Sequence, residues 1–155
     1  MLSNGLCSVR GYDLTTTMRL SVIIPVYNER ATIIQLLYRV AAINIEKEII
    51  VVDDCSTDGT RAVLKEHHDA TFTLLLHDYN QGKGAALRTG FGHATGEFVI
   101  IQDADLEYDP SDFSKLLAIV ESENADVVYG SRLATSQPTM TLRHFVGNRL
   151  LTGLT

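Results

Sequence analysis

The stretch Glu97 to Pro110 reads EFVIIQDADLEYDP and indicates what kind of fold the chain adopts. Its first part, Phe98 to Gln102, is mostly apolar and β-branched, which is typical of a short strand buried on both faces. Three carboxylates follow this strand, those of Asp103, Asp105 and Glu107. In an open parallel sheet, ligands bind at the carboxyl ends of the strands, where such acids can meet a metal ion and a phosphate group. The alternative is an acidic loop in which Asp109 and Ser111 only begin the next helix.

Length and charge limit the classes of protein to which this chain can belong. The 155 residues are enough for one domain that buries roughly two-thirds of the surface exposed by its unfolded form. The formal net charge of -6 argues against a general affinity for nucleic acid. Cys7 and Cys55 have no metal-binding spacing, which favours a reducing, cytoplasmic setting. No apolar run approaches the roughly 18 residues needed to cross a bilayer, so we expect no membrane span in this chain.

Strands and helices are predicted to alternate along the chain. Residues 1–17 show no hydrophobic periodicity, so we expect a flexible N-terminal extension, followed by a single domain over residues 18–155. The predicted strands are Leu20–Val26, Ile49–Val52, Phe72–Leu76, Phe98–Gln102 and Val127–Tyr129. Five helices are predicted. The first starts near Glu29, the second ends near His67, and the third contains Ala85 to Ala94. The last two cover Ser111–Ser122 and Leu142–Leu154. This alternation is typical of a three-layer α/β/α sandwich with a mostly parallel sheet.

Polar side chains follow four of the predicted strands. They are Tyr27, Asn28 and Glu29; Asp53 and Asp54; Asp103, Asp105 and Glu107; and Ser131 and Arg132. Because parallel strands end at one edge, we expect these residues to converge on a single cleft. So many acids would repel one another, and a divalent ion held by Asp105, Glu107 and diphosphate oxygens would offset that charge.

The common nucleotide-binding motifs are absent. A P-loop needs Ser or Thr after its lysine, but Gly84 follows Lys83. The pattern GxGxxG needs a glycine where Leu87 stands, and the first strand ends in Pro25, Val26 and Tyr27 rather than in a glycine-rich turn. The sequence therefore predicts phosphate binding without either of these loops.

Five motifs, taken together, resemble family 2 glycosyltransferases of the GT-A fold. They are VIIPVYNE (Val22 to Glu29), VVDDCSTDGT (Val51 to Thr60), NQGKGAALRTG (Asn80 to Gly90), FVIIQDADLEYDP (Phe98 to Pro110) and GSR (Gly130 to Arg132). Within that family the set is most similar to the dolichyl- or polyprenyl-phosphate mannosyl- and glucosyltransferases. The resemblance covers about Met18 to Thr155. It implies an inverting, metal-dependent enzyme that moves mannose or glucose from a GDP- or UDP-sugar to polyprenyl phosphate.

The resemblance also implies which residues bind the nucleotide sugar. Pro25, Tyr27 and Glu29 would line the base and ribose pocket. The other implied contacts are Asp53 to the nucleoside, Asp54 close by, and Asp103 and Ala104 on the nucleotide side. Lys83, at the start of a helix, fits a position beside the phosphates, and a solvated cap residue is the alternative.

Catalysis and metal binding are implied for three residues. Asp105 would face Mg²⁺ or Mn²⁺, with Glu107 as a further ligand of the ion. Arg132 would neutralise the phosphate of the donor or the acceptor. A lipid phosphate is already largely ionised near neutral pH and needs no strong general base, whereas a hydroxyl acceptor needs one.

The last predicted helix bears on the acceptor. Its apolar stripe is flanked by Arg143, His144 and Arg149, a pattern that suits either an anionic membrane surface or packing against the sheet. In the polyprenyl-phosphate enzymes this region leads into acceptor-side elements and often membrane helices. We therefore expect the domain to continue beyond Thr155, with membrane association that is peripheral or made by the missing region, at the cytoplasmic face. Two alternatives remain open: transfer to a glycan hydroxyl, and a nucleotide-sugar-binding fragment without catalysis.

Four histidines and Cys55 are predicted to have no part in catalysis or metal binding. His67, His68, His77 and His93 have no metal-binding spacing, which favours surface or packing roles. Cys55 has no base beside it in the sequence and is predicted to be a small buried side chain.

Overall fold

Residues 20–68 and 71–128 are described by the structure, which is a computed structural model. They form four strands: β1 (Leu20–Val26), β2 (Lys47–Asp53), β3 (Thr73–Leu76) and β4 (Phe98–Ile101). All neighbouring strands are parallel, and their order across the sheet is β3, β2, β1, β4. In the register, Val26 lies beside Asp53, and Asp53 lies beside Leu76. The predicted parallel sheet is confirmed, and the ends of β1, β2 and β3 lie at one edge.

Helices connect these strands. They are α1 (Ile33–Ala42), α2 (Thr60–Glu66), α3 (Lys83–His93) and α4 (Phe113–Glu123), the last preceded by a 3₁₀ turn over Pro110–Asp112. The chain moves from β1 through β2 to β3 and then returns to β4, so right-handed crossovers place α1 and α2 on one face and α3 on the other. Accordingly, α1 packs against α2, while α3 packs against β1 and β2. The predicted three layers follow from this topology.

The core lies around β1 and β2. Every residue of β1 is buried. The helix α1 has one buried apolar stripe, formed by Ile33, Leu36, Leu37 and Val40. On the other face, α3 approaches β1 so closely that a Cβ atom at Gly90 would overlap the Ile23 side chain. The neighbouring turn of α3 buries Ala86 against Ile50 and Val52. Small residues in α3 therefore set its distance from the sheet.

Two strand predictions are corrected. The stretch from Phe98 was predicted to be buried on both faces, but Val99 and Ile101 are 41% and 45% exposed. Among the described residues β4 pairs only with β1, and at this edge one of its faces stays open to solvent. Val127 and Val128 lie outside any strand, and the rest of that predicted strand is beyond the described residues.

The chain divides into two compact units, Met1–Lys115 and Leu116–Thr155. The first unit contains all four strands, and the second is described over residues 116–128, where α4 continues to its end. The predicted extension over residues 1–17 and the predicted last helix lie outside the described residues, so both stay predictions. Over residues 20–68 and 71–128, no helix combines the length and apolar character that crossing a membrane requires.

Candidate functional site

A cavity of about 290 Å³ opens at the carboxyl ends of β1, β2 and β4. Its wall combines residues from the end of β1, from the end of β2, from the start of α3 and from the segment after β4. They are Pro25, Val26, Tyr27, Glu29, Asp54, Asn80, Gly82, Lys83, Ala86, Asp103, Ala104 and Asp105. The cleft predicted from the strand ends is therefore present for three of the four ends. The fourth, with Ser131 and Arg132, lies outside the described residues.

Most of the residues predicted to bind the donor lie on this wall. Those present are Pro25, Tyr27, Glu29, Asp54, Lys83, Asp103, Ala104 and Asp105. Asp53 and Glu107 are described but do not line the cavity. The structure describes where these residues lie, and the role assigned to each of them stays a prediction.

Asp53 is placed differently from the prediction that it contacts the nucleoside. Its side chain is fully buried, with Oδ2 accepting a hydrogen bond from Arg61 Nε at 2.5 Å and Oδ1 accepting one from the Ser56 backbone N–H at 3.3 Å. Successive residues along an extended chain point in opposite directions, so the Asp53 side chain points toward α2 and the Asp54 side chain points toward the cavity. Both oxygens of Asp53 are used within the protein.

The loop after β1 is held by the loop after β2. The Glu29 N–H donates to Thr60 Oγ1 at 2.9 Å, and Asn28 Oδ1 accepts from the Thr57 N–H at 2.8 Å. Asn28 has a φ of 58°, a left-handed conformation that Asn tolerates better than most residues. These bonds fix the segment that directly follows Tyr27, a residue that is 47% exposed and lines the cavity. An exposed, anchored aromatic ring is suited to stacking on a base or sugar.

Asp54 holds the loop that precedes α3. Its Oδ1 accepts from the Gln81 N–H at 2.9 Å, and its Oδ2 accepts from the Gly82 N–H at 2.6 Å. His77 Nδ1 lies 2.7 Å from Asp54 Oδ1. Burial pushes the pKa of Asp54 upward, but the hydrogen bonds from Gln81, His77 and Gly82 together outweigh burial and lower the pKa below its ordinary value. The carboxylate is therefore ionised near neutral pH.

His77 was predicted to have a surface or packing role, without any contact to the residues of the cavity. It is buried, and its Nε2 lies 2.9 Å from Thr89 Oγ1 in α3. The other three histidines in that prediction, His67, His68 and His93, are exposed. A signal for His77 was present in the sequence, because it directly follows Leu76, the last residue of β3, where parallel strands present their functional residues.

Lys83 is the first residue of α3, and its ammonium group forms an ion pair with Asp103 at the cavity wall. The distance from Lys83 Nζ to Asp103 Oδ1 is 2.6 Å. Gly82, at φ 84°, provides the turn before the helix, a conformation that favours glycine. Lys83 lines the cavity, as a residue beside phosphates would, and the start of α3 adds the positive end of a helix dipole.

A divalent ion was predicted to offset the acidic charge at the strand ends, and cationic side chains of the protein itself offset part of it. Arg61 pairs with Asp53, and Lys83 pairs with Asp103. Arg61 lies in α2 and Lys83 lies in α3, and the positions of the acids in the sequence do not indicate these pairings. Asp105 lines the cavity, and no cationic side chain within residues 20–68 and 71–128 forms an ion pair with it, which leaves its charge available to a ligand.

The carboxylates in the segment after β4 suit a divalent ion that takes only part of its ligands from the protein. Asp105 lines the cavity, and its Oδ1 accepts a hydrogen bond from the Glu107 N–H at 3.1 Å, around Leu106 at φ 64°. Within the part of the chain that the structure describes, no three His, Cys, Asp or Glu side chains are grouped to hold a metal. Mg²⁺ usually takes one or two carboxylates and completes its shell with substrate phosphates and water. The carboxylates at the cavity suit that mode of binding.

Sequence comparison identifies the family. The profile of the family described as "Glycosyl transferase family 2" matches residues 21–150. A curated relative, the undecaprenyl-phosphate 4-deoxy-4-formamido-L-arabinose transferase of Sodalis glossinidius (strain morsitans), is 34% identical over 125 residues. This match covers 74% of the chain and 38% of the relative, so the chain spans well under half of that protein's length.

Solved structures share the fold. The mannosyltransferase PcManGT from Pyrobaculum calidifontis, in complex with GDP-Man and Mn²⁺, has a TM-score of 0.60 and 36% identity, covering 75% of this chain and 35% of that one. S. aureus TarS 1-349, in complex with UDP, has a TM-score of 0.63 and 26% identity, covering 80% of this chain and 38% of that one. These neighbours are glycosyltransferases of the GT-A fold, which confirms the predicted fold class. With the profile match over residues 21–150, the chain belongs to glycosyl transferase family 2.

Proposed function

We propose that the cavity binds a nucleoside-diphosphate sugar, a GDP- or UDP-hexose, as the donor of an inverting sugar transfer. The observation that carries this proposal is the meeting of three strand ends in one cavity whose wall contains Tyr27, Lys83, Asp103 and Asp105. An exposed ring suits the nucleoside, and a lysine at a helix start suits the diphosphate. The ligands of the two solved neighbours, GDP-Man and UDP, support the same class of donor.

In the proposed complex, Pro25, Tyr27 and Glu29 contact the base and ribose. Asp54 keeps the loop before α3 in place, and Asp103 and Ala104 contact the nucleotide side of the donor. Asp53 contributes through Arg61, by keeping the end of β2 and the start of α2 together.

The cation proposed for the site is Mg²⁺ or Mn²⁺, held by Asp105 with Glu107. When bound, such an ion supplies positive charge that offsets the charge of the leaving diphosphate. The mannosyltransferase neighbour is a complex with both GDP-Man and Mn²⁺, which supports a divalent ion at this site. Lys83 and, by prediction, Arg132 add positive charge from the chain itself.

The proposed acceptor is polyprenyl phosphate at the cytoplasmic face of the membrane. An acceptor phosphate oxygen forms a bond to the anomeric carbon, the bond from that carbon to the donor diphosphate breaks, and the nucleoside diphosphate leaves with the electron pair. Because the acceptor phosphate is already ionised, this displacement needs no strong general base. The name of the curated relative, an undecaprenyl-phosphate sugar transferase, supports a lipid phosphate over a glycan hydroxyl.

The domain proposed to bind the donor runs from residue 18 to residue 155. Since the chain spans 38% of the curated relative, acceptor binding and complete transfer are proposed for a longer protein that contains this chain. Donor binding is therefore the property to measure on the 155 residues.

Calorimetric titration of the 155-residue chain tests the proposal. GDP, UDP and their mannose and glucose conjugates are titrated with Mn²⁺, with Mg²⁺ and with EDTA. We expect one nucleoside diphosphate to bind about tenfold or more tightly than the other, and binding to weaken in EDTA. Absence of binding by every nucleotide, in folded protein and with either ion, would overturn the proposal.

A matched pair of variants tests the metal assignment. Asp105→Ala removes a carboxylate at the cavity, and Asp112→Ala removes an exposed carboxylate that pairs with Lys115 outside the cavity. We expect Asp105→Ala to lose the metal-dependent part of nucleotide binding and Asp112→Ala to keep it. Equal metal dependence in Asp105→Ala and wild type would contradict the assignment.

A further inference from the structure

A row of two buried side chains and one partly buried side chain lies at the wall of the cavity and behind it, and connects three elements. Asp54 follows β2, His77 follows β3, and Thr89 lies in the middle of α3. His77 bridges the other two, at 2.7 Å from Asp54 Oδ1 and 2.9 Å from Thr89 Oγ1. Of these three residues only Asp54 lines the cavity, so His77 can affect a ligand there only through its neighbours.

The hydrogen-bonding capacity of these groups fixes their direction. An ionised carboxylate only accepts hydrogen bonds, so Nδ1 of His77 carries a hydrogen atom and its N–H donates a hydrogen bond to Asp54 Oδ1. Nε2 is then satisfied by the Thr89 hydroxyl, which can donate or accept. A hydroxyl at position 89 therefore holds the imidazole in the orientation that serves Asp54.

The backbone of His77 is held as firmly as its ring. Its N–H donates to the Asp53 carbonyl at 2.9 Å, and its own carbonyl accepts from Arg61 Nη2 at 2.6 Å. An imidazole with a fixed backbone and both nitrogens bonded has little freedom to rotate. Such a group can hold a carboxylate in one orientation.

The other contacts of Asp54 lie on the phosphate-side loop, which we define as Asn80 to Lys83. The Gln81 and Gly82 N–H groups donate to the two oxygens of Asp54, and the next residue, Lys83, forms an ion pair with Asp103 at the cavity wall. A rotation of the carboxylate would break at least one of these bonds. The placement of Lys83 thus depends on the orientation of Asp54.

We propose that His77 is a positioning residue that, held by Thr89, orients the Asp54 carboxylate so that the phosphate-side loop presents Lys83 to the donor diphosphate. The part of this inference that concerns the donor rests on the proposed function. The part that concerns the loop does not, because the loop is held by Asp54 whether or not a nucleotide binds.

Amide hydrogen exchange on the 155-residue chain tests the positioning role. Thr89→Val removes the hydroxyl at nearly constant volume, and Thr89→Ser keeps the hydroxyl as the matched control. The reporter is the Gln81 N–H, and the reference is the Asp54 N–H, which donates to the Val26 carbonyl at 2.9 Å. We expect the Gln81 amide to exchange about tenfold faster in Thr89→Val, with the Asp54 amide unchanged and Thr89→Ser like wild type.

Two outcomes of the exchange experiment would overturn the proposal. One is an unchanged Gln81 exchange rate in Thr89→Val. The other is faster exchange at both amides in the same proportion, which indicates general destabilisation instead of a loosened loop. His77→Asn is the second variant, since its amide can still donate toward Asp54 but is too short to reach Thr89, and we expect a smaller increase in the Gln81 rate than in His77→Ala.

Nucleotide titration separates this inference from the proposed function. In Mn²⁺, we expect Thr89→Val to bind the preferred nucleoside diphosphate about tenfold more weakly than Thr89→Ser, and the free nucleoside equally. An equal loss for nucleoside and nucleoside diphosphate contradicts a role on the phosphate side. If wild type binds no nucleotide, the proposed function fails, while the exchange rates still decide whether His77 positions the loop.

Discussion

Lys83 Nζ lies 2.6 Å from Asp103 Oδ1 and joins the first residue of α3 to the segment after β4. The side chain of Lys83 is 59% exposed and that of Asp103 is 26% exposed, so the pair is accessible from the cavity. An exposed ion pair contributes little to stability, typically under about 1 kcal/mol. Its position at the cavity is therefore better explained by a ligand than by the fold.

Replacement of this lysine tests that explanation. Lys83→Met keeps the aliphatic chain and removes the charge, so we expect the affinity for a nucleoside diphosphate to fall by about tenfold with little change in stability. Lys115→Met is the control, because Lys115 pairs with Asp112 at a similar 2.7 Å outside the cavity. Calorimetric titration in Mn²⁺ gives the affinities. Equal affinity in the two variants would show that Lys83 does not contact the phosphates.

The ion pair between the buried Asp53 and the partly buried Arg61 is expected to matter for stability. Arg61→Met leaves the fully buried Asp53 carboxylate without its cation, and breaking such a pair costs about 3 kcal/mol or more. Arg39→Met is the matched control, since Arg39 pairs with the exposed Asp109 at 3.4 Å and should cost no more than about 1 kcal/mol. Urea unfolding measures both values. Similar free energies of unfolding in the two variants would contradict the structural role given to Asp53.

The close approach of α3 to β1 predicts opposite effects for two glycines of the same helix. A Cβ atom at Gly90 would overlap Ile23, so we expect Gly90→Ala to destabilise the protein by about 1–3 kcal/mol. Gly92 has open space around it, and Gly92→Ala should stabilise the helix by about 0.5–1 kcal/mol. Thermal and urea unfolding give the sign. Stabilisation by both substitutions would mean that α3 lies farther from β1.

The lowered pKa of Asp54 predicts a pH dependence of stability. Because its folded-state pKa is lowered, Asp54 contributes stability that is complete above its unfolded pKa of about 3.9 and is lost as pH falls through the folded-state value. Asp54→Asn cannot lose stability in this way. We expect the free energy of unfolding to decrease more steeply in wild type than in Asp54→Asn between about pH 5 and about pH 3. Parallel curves over that range would contradict the lowered pKa.

Much of the fold was predictable because local patterns and tertiary packing agree in it. The apolar run Leu20–Val26 is recovered as β1 with the same bounds, and the helical spacing after it is recovered as α1. The edge strand β4 was harder. An apolar run of four or five residues looks the same whether a neighbour covers both of its faces or only one, and Val99 and Ile101 show that one face is open.

The candidate site was predictable where chemistry and strand ends coincide, as at Tyr27, Asp103 and Asp105. It was not predictable where side chains meet across elements. His77 was taken for a surface or packing residue, and Cys55, expected to be buried, is only partly so, with Sγ 3.4 Å from the Asp78 carbonyl.

The sequence by itself determined the alternation of strands and helices and the acidic ends of β2 and β4, because hydrophobic periodicity and turn chemistry act over a few neighbouring residues. Only the tertiary structure decided that Asp54 faces the cavity and Asp53 faces Arg61, and that Lys83 meets Asp103 twenty positions farther along the chain. The physical reason is that these partners are brought together by the parallel crossovers and by the pleat of the sheet, which place residues by their position in space and not by their distance in sequence.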